Sequence, residues 1–197
     1  RRRRGGDEPT GARGSEDPLP SQHLIVDPSE PRLAFLGFVR PNVGAIPPMA
    51  ELQAMWWIER LRGRIPARRS PPSYGLLGRK LAYGVDYGNY MHQLAAEFGA
   101  APSLTTLYSR SWGALTSYCL GQAYISFFRL QGPFANAEAW RVAETELLRT
   151  VTQRGFLANV IFVLTIAAFG ALNMGSFFAE RLFRWAFGTL KSGRRKE

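Results

Sequence analysis

Apolar side chains fall along this 197-residue chain in blocks of different period, and the period separates the elements. From Leu33 to Val39 the run LAFLGFV has no helical spacing and lies between Pro31 and Pro41. That predicts a buried strand, with a short helix as the other reading that periodicity leaves open. The turn RPNVGAIPP follows. Pro47 or Pro48 suits a first helical position, and Glu51 then falls in the first turn, where the positive end of the helix dipole favours it. Met49, Leu52, Met55, Trp56, Ile58 and Leu61 give this helix a broad apolar face that ends near Gly63 and Pro66. Residues 63–84, rich in Arg, Pro, Ser and Gly, read as a loop. A second helix opens with Asp86 as N-cap and repeats Tyr87, Tyr90, Met91, Leu94 and Phe98 at three- and four-residue steps, up to Gly99 and Pro102. Residues 103–134 have helix-like and strand-like halves, with YISFFRL a candidate strand before a Gly-Pro turn. A third helix starts near Asn136, with Trp140, Ala143, Leu147, Leu148 and Val151 on one face.

No residue from Gly155 to Ala179 is charged. A bilayer core takes about 20 predominantly apolar helical residues, so residues 155–179 read as a transmembrane or membrane-embedded segment. The competing reading, a core helix of a soluble protein, needs partners on every side from a small remaining chain. Asn173 and Gly175 leave room for a kinked or re-entrant path. Residues 180–197 place Phe and Trp among Arg and Lys and read as a basic interfacial tail, which the positive-inside rule puts on the cytoplasmic side.

The net charge of +10 asks for an anionic partner. No aromatic residues are interleaved with the arginines at a spacing that would stack bases, so nucleic acid is not the expected partner and a membrane surface is. The first twenty residues mix charge with Gly and Pro and offer almost nothing to bury, so segment 1–22 is expected to be disordered. The expected division is therefore 1–22, a folded part 23–154, the segment 155–179 and the tail 180–197. The chain opens at Arg1 with neither an initiator methionine nor a secretory leader, and it is read as a piece of something longer.

Complete catalytic constellations are missing. Cys119 stands alone, which excludes an intrachain disulfide, and it reads as a small buried residue rather than a nucleophile. Asp86 and Glu97 sit at opposite ends of one helix and Glu138 and Glu144 face solvent, so no acid–base pair emerges. His23 and His92 are isolated, so no metal set can be named. Neither GxGxxG nor GxxxxGK[ST] occurs.

One family likeness is nonetheless carried by four ordered segments. LAFLGFVRPNVGAIPPMAELQAMWW resembles a strand, G-A-I-P-type turn and E-L-Q-A/G-x-W helix near the C-terminal end of flavin-containing monooxygenases. VDYGNYMHQLAAEFGAAPSL and FFRLQGPF resemble later segments of that family in the same order, and the charge-free run sits where membrane-bound members carry an anchor. The likeness spans roughly residues 24–180. It implies an α+β fragment of a flavoprotein with two Rossmann-like dinucleotide-binding domains, mostly helical here, with a C-terminal hydrophobic membrane helix. It also implies FAD and NADPH as cofactors, a hydroperoxyflavin that oxygenates soft nitrogen or sulfur centres of small-molecule substrates, and a membrane location such as the endoplasmic reticulum. The matching cofactor-binding positions are Arg40, Pro41, Asn42, Val43, Gly44 and Ala45, with Gly44 allowing close backbone approach and the amides of the following helix facing an electron-rich flavin edge.

Departures bound the inference. Arg40 occupies a position that is often Gln in animal members, and His92 one that is often acidic, where it reads as an exposed polar residue on an amphipathic helix. The family's glycine-rich motifs and its F-x-G-x-x-x-H fingerprint belong upstream and are absent here. The turn alone also reads as a strand-to-helix connection that merely packs. The expectation is half a site, with the phosphate-binding half on other sequence. The alternative is a non-catalytic, membrane-anchored or partner-binding derivative of the family.

Overall fold

The computed structural model describes residues 22–27, 29–66, 74 and 83–193. The expected disordered segment up to residue 21, most of the loop between 67 and 82, and the last four residues lie outside the described residues. What is described is mostly helical, with one small parallel sheet.

Two-residue strands β1 (Arg40–Pro41) and β2 (Gly84–Val85) pair in parallel, Arg40 opposite Gly84 and Pro41 opposite Val85. Each strand runs directly into a helix. Helix α1 (Ile46–Leu61) follows β1, and α2 (Tyr87–Glu97) follows β2. The two helices pack together and bury Met49, Leu52, Trp56, Tyr90, Met91 and Leu94. Burial of side chains this size is worth about 1.5–3 kcal/mol each.

A second core forms where α3 (Leu104–Arg110), α4 (Trp112–Leu120), α5 (Ala137–Val142) and α6 (Leu148–Gln153) meet around Leu107, Ala114, Trp140 and Ala143. Between α5 and α6, Ala143–Leu147 is a single π-helical turn, and the Ser117 hydroxyl of α4 lies 2.9 Å from the Ala143 carbonyl oxygen there. The third helix therefore forms where expected, capped by the Asn136 side chain on the Glu138 amide, with a widened turn inside it. Helix α7 (Phe156–Gly193) then runs for 38 residues with helical backbone through Asn173 and Gly175, so the chain does not turn back there as a re-entrant path would.

Several expectations need correction. The run 33–39 is not a strand. Gly37 turns the chain at φ +76° and gives its amide to the Gln53 side chain at 2.7 Å rather than to a strand neighbour; only an isolated bridge at Ala34 and the short β1 remain. YISFFRL is not a strand either: Ile125–Arg129 is a 3₁₀ turn. Its burial repeats every three residues, with Tyr124, Phe127 and Leu130 in the second core and Ile125 and Phe128 against the first. Cys119 is exposed, because α4 turns Ala114 and Ser117 inward instead. Ile58 and Leu61 are exposed too, so the apolar face of α1 is narrower than expected. Glu51 lies in the second turn of α1, since the helix starts at Ile46, and it pairs with Arg129 across to the 3₁₀ turn.

A polar cluster sits inside the first core. His23, at φ +55° in a tight turn, reaches Glu97 Oε1 through Nε2 at 2.7 Å and the Tyr74 hydroxyl through Nδ1 at 2.9 Å. The Trp56 indole donates to Glu97 Oε2 at 2.7 Å. Gln53 donates to the Tyr90 hydroxyl, which donates onward to the His23 carbonyl. Burial raises the pKa of Glu97, but the hydrogen bonds and charge from His23, the Trp56 indole and nearby Arg60 outweigh it, and the carboxyl sits below its ordinary value. A carboxylate whose pKa folding depresses adds stability above its unfolded pKa and loses it as the pH falls through the folded value. Denaturation midpoints measured against pH should accordingly drop as the pH is lowered through and below the ordinary glutamate range. Glu97→Gln should flatten that limb and cost about 1–3 kcal/mol at neutral pH; an unchanged acid limb would show that another group controls it.

Candidate functional site

Of the six positions, Arg40 and Pro41 are strand β1 and Asn42–Ala45 form the surface turn that leads from it into α1. Arg40 is exposed and its amide donates to the Tyr83 carbonyl at 2.8 Å. Asn42 is the pivot. Its amide donates to the Val85 carbonyl at 3.1 Å, and its side-chain oxygen accepts from the amides of Val43 at 2.7 Å and Tyr87 at 3.0 Å. Asp86 accepts the Asn89 amide at 3.1 Å as the N-cap of α2, as expected, and lies 3.4 Å from the Asn42 side-chain nitrogen. An exposed turn is thus fastened to the start of a buried helix by hydrogen bonds that share one asparagine.

Gly44 adopts φ +148°, and a Cβ built on it would lie 2.5 Å from the Tyr87 ring. The close approach that makes glycine necessary is therefore to Tyr87, not to open space. Tyr87 is held in place by a hydrogen bond from its hydroxyl to the Ala123 carbonyl at 3.1 Å, and burial, with a smaller contribution from Tyr124, pushes its phenol up to about 12. Any ligand of this turn must approach from the solvent face opposite that ring.

Helix α1 offers fewer donors than expected. Its cap is Ala45, which has no side-chain oxygen, and Pro47 and Pro48 fill the second and third helical positions. Prolines have no N–H, so the helix-amide anion site anticipated after the turn is reduced to Ile46. Gly44 and Ala45 add two amides that have no backbone acceptor among the described residues. Around them Val43, Ile46 and Phe38 are exposed apolar groups, and Phe38 meets Phe35 edge-on at 5.7 Å. A strip of three amides on an apolar surface, with no cluster of side-chain cations at the turn, suits one edge of a flat heteroaromatic ring. It does not suit a pyrophosphate. No dinucleotide-phosphate cradle occurs among the described residues.

His92 is exposed on α2, with Nδ1 3.2 Å from the Tyr118 hydroxyl, remote from the turn. The residues that sequence reading missed are Tyr87, as the partner of Gly44, and the apolar pair Phe38 and Ile46. A glycine in one turn and a tyrosine 43 positions later carry no local signal of contact.

No protein-family model matches the chain. Curated proteins do. The chain is 36% identical over 148 residues to Monooxygenase PC-14 of Penicillium crustosum, covering 73% of this chain and 26% of that protein. It is 36% identical over 140 residues to Monooxygenase ptmN of Penicillium ochrochloron, covering 69% and 23% respectively. Monooxygenase cfoE of Aspergillus candidus is 34% identical over 172 residues, 79% of this chain and 29% of its own length. These matches relate the chain to a family of monooxygenases. The chain spans about a quarter of the length of the curated relatives it matches.

Gly44→Ala should destabilise the fold by about 2–4 kcal/mol, from backbone strain and overlap with the ring. In a double-mutant cycle with Tyr87→Ala, urea unfolding should return a coupling of about 1–2 kcal/mol, because the second change removes what the methyl hits. Strict additivity would mean that the two residues do not touch.

Proposed function

We propose that this chain is the C-terminal part of a membrane-associated, FAD- and NADPH-dependent monooxygenase that oxygenates soft nitrogen or sulfur nucleophiles in small molecules. The carrying observation is the similarity to three monooxygenases at about one-third identity over a chain whose exposed turn presents free amides on an apolar strip. The glycine-rich, Rossmann-like halves of the site would lie on upstream sequence. A bound flavin would supply the oxygen-transfer chemistry, with NADPH as the source of electrons.

This chain's own residues would do the positioning. The Gly44, Ala45 and Ile46 amides would donate to the ring edge, and Val43 would shield it from water. Asn42 and Tyr87 would keep the turn from shifting, which matters because a misplacement of about 1 Å in a reacting pair can cost a hundredfold in rate. Helix α7 supports the membrane half of the reading. Phe156–Phe183 is long and apolar enough to cross a bilayer, and its most apolar stretch is not buried against the rest of the protein. An endoplasmic reticulum location belongs to the same proposal.

The test is to extend the reading frame upstream of Arg1, express the longer product and isolate it from membranes. Flavin absorbance and NADPH oxidation stimulated by a thioether or tertiary amine are expected, and Val43→Asp should lower flavin occupancy about tenfold, the effect of about 1.4 kcal/mol, with no shift in unfolding midpoint. A start codon directly before Arg1, or a longer product without flavin, would overturn the enzyme reading and leave a membrane-anchored, non-catalytic derivative.

A further inference from the structure

A second apolar surface lies away from the turn, where α3 meets α4. Leu104, Tyr108 and Trp112 follow one another at four-residue steps and are 57%, 68% and 68% exposed, while Leu107 alone in α3 turns inward. Tyr108 and Trp112 touch edge-on at 6.0 Å, so the patch is continuous across the break at Ser111. Large aromatic side chains this exposed are unusual unless something covers them.

The sequence around the patch is basic, although the backbone of Glu144 comes up against Gly113 at the start of α4. Between Glu97 and Glu138 there is no Asp or Glu, and none between Glu146 and Glu180, whereas Arg110, Arg129, Arg149 and Arg154 fall inside those intervals. Arg110 sits over the Trp140 ring at 4.0 Å, which fixes a cation beside α3. The patch is also tied to α7. Helix α4 packs against α7, Arg154 lies 3.4 Å from the Leu120 carbonyl at the end of α4, and its guanidinium covers Phe162 in the second turn of α7. The first residues of α7, Phe156 and Leu157, are 85% and 71% exposed.

We infer that the Leu104–Tyr108–Trp112 face is a lipid-contacting surface that rests in the headgroup region of an anionic bilayer, at the opposite end of α4 from the start of α7. Tyr and Trp are the residues that partition to that depth, with the ring in the acyl boundary and the polar edge in the headgroups. Arg129 is taken by Glu51, but Arg110, Arg149 and Arg154 make no ion pair among the described residues and complement anionic lipid. Two separated contacts fix an orientation, where a single helix would leave the folded part free to swing. This inference rests on the membrane reading of α7.

The experiment uses the full 197-residue chain in vesicles of phosphatidylcholine and phosphatidylserine. In a Cys119→Ser background, one environment-sensitive fluorophore is attached at Tyr108→Cys, at Trp112→Cys as a second reporter of the same face, or at Leu164→Cys, in the apolar part of α7. Quenching by nitroxide-bearing lipid is compared with quenching by aqueous iodide. The expected result is several-fold stronger lipid quenching at 108 and 112 than on vesicle-free protein in detergent, with iodide quenching cut to a similar degree, and full lipid quenching at 164. Lipid quenching at 164 alone, with 108 and 112 open to iodide, overturns this inference and leaves the anchor standing. No lipid quenching at 164 overturns both. Shielding at 108 that deepens with protein concentration but ignores the nitroxide lipid would assign the face to a second copy of the chain, and would also overturn it.

Discussion

Glu97 accepts a hydrogen bond through each carboxylate oxygen, one involving His23 and the other Trp56. Those partners belong to the first described turn and to the middle of α1, while Glu97 ends α2. A single half-buried carboxylate therefore joins three segments that are far apart in sequence. The arrangement works because each side chain finds a partner of the right kind. Unpaired, any one of these polar groups would cost about 1–3 kcal/mol. Paired, they set where α1 crosses α2, and the left-handed backbone at His23 and Leu24 is strain that the cluster holds in place.

That crossing determines the rest. With one end of α2 fixed to Trp56, its other end brings Asp86 and Tyr87 under the turn at residues 40–45, where Asn42 bonds to the start of the helix and Gly44 lies on the ring. The turn is exposed yet has its shape imposed from below. Pre-formed donors are what a binding edge requires, since a ligand then spends no free energy on ordering them. The prolines at 47 and 48 act in the same sense, restricting the backbone while removing N–H groups that a phosphate would have used.

Helices with a clear apolar period were legible: α2 with its Asp86 cap, the segment opened by Asn136, and the long apolar helix α7 were each expected near where they occur. The run 33–39 misled because its apolar residues are not all buried. Val39 is, but Phe35 and Phe38 point outward, and composition cannot tell a core strand from an apolar surface. YISFFRL misled for the opposite reason, since consecutive phenylalanines that serve two different cores give no period of two or of 3.6. At the candidate turn the partners of its residues were not legible. The Gly44–Tyr87 contact and the His23–Glu97 pair depend on the crossing of two helices, which no local spacing encodes.

The outward phenylalanines have a consequence beyond binding. Phe35 and Phe38, with Leu33 near them, are about half or more exposed. Exposed apolar surface of this kind is the feature by which chaperones and proteases sort incompletely folded chains from finished ones. A polypeptide carrying this segment without a covering surface would be folded yet treated by the cell as unfinished. Its lifetime, more than its structure, would then report whether a covering surface was present.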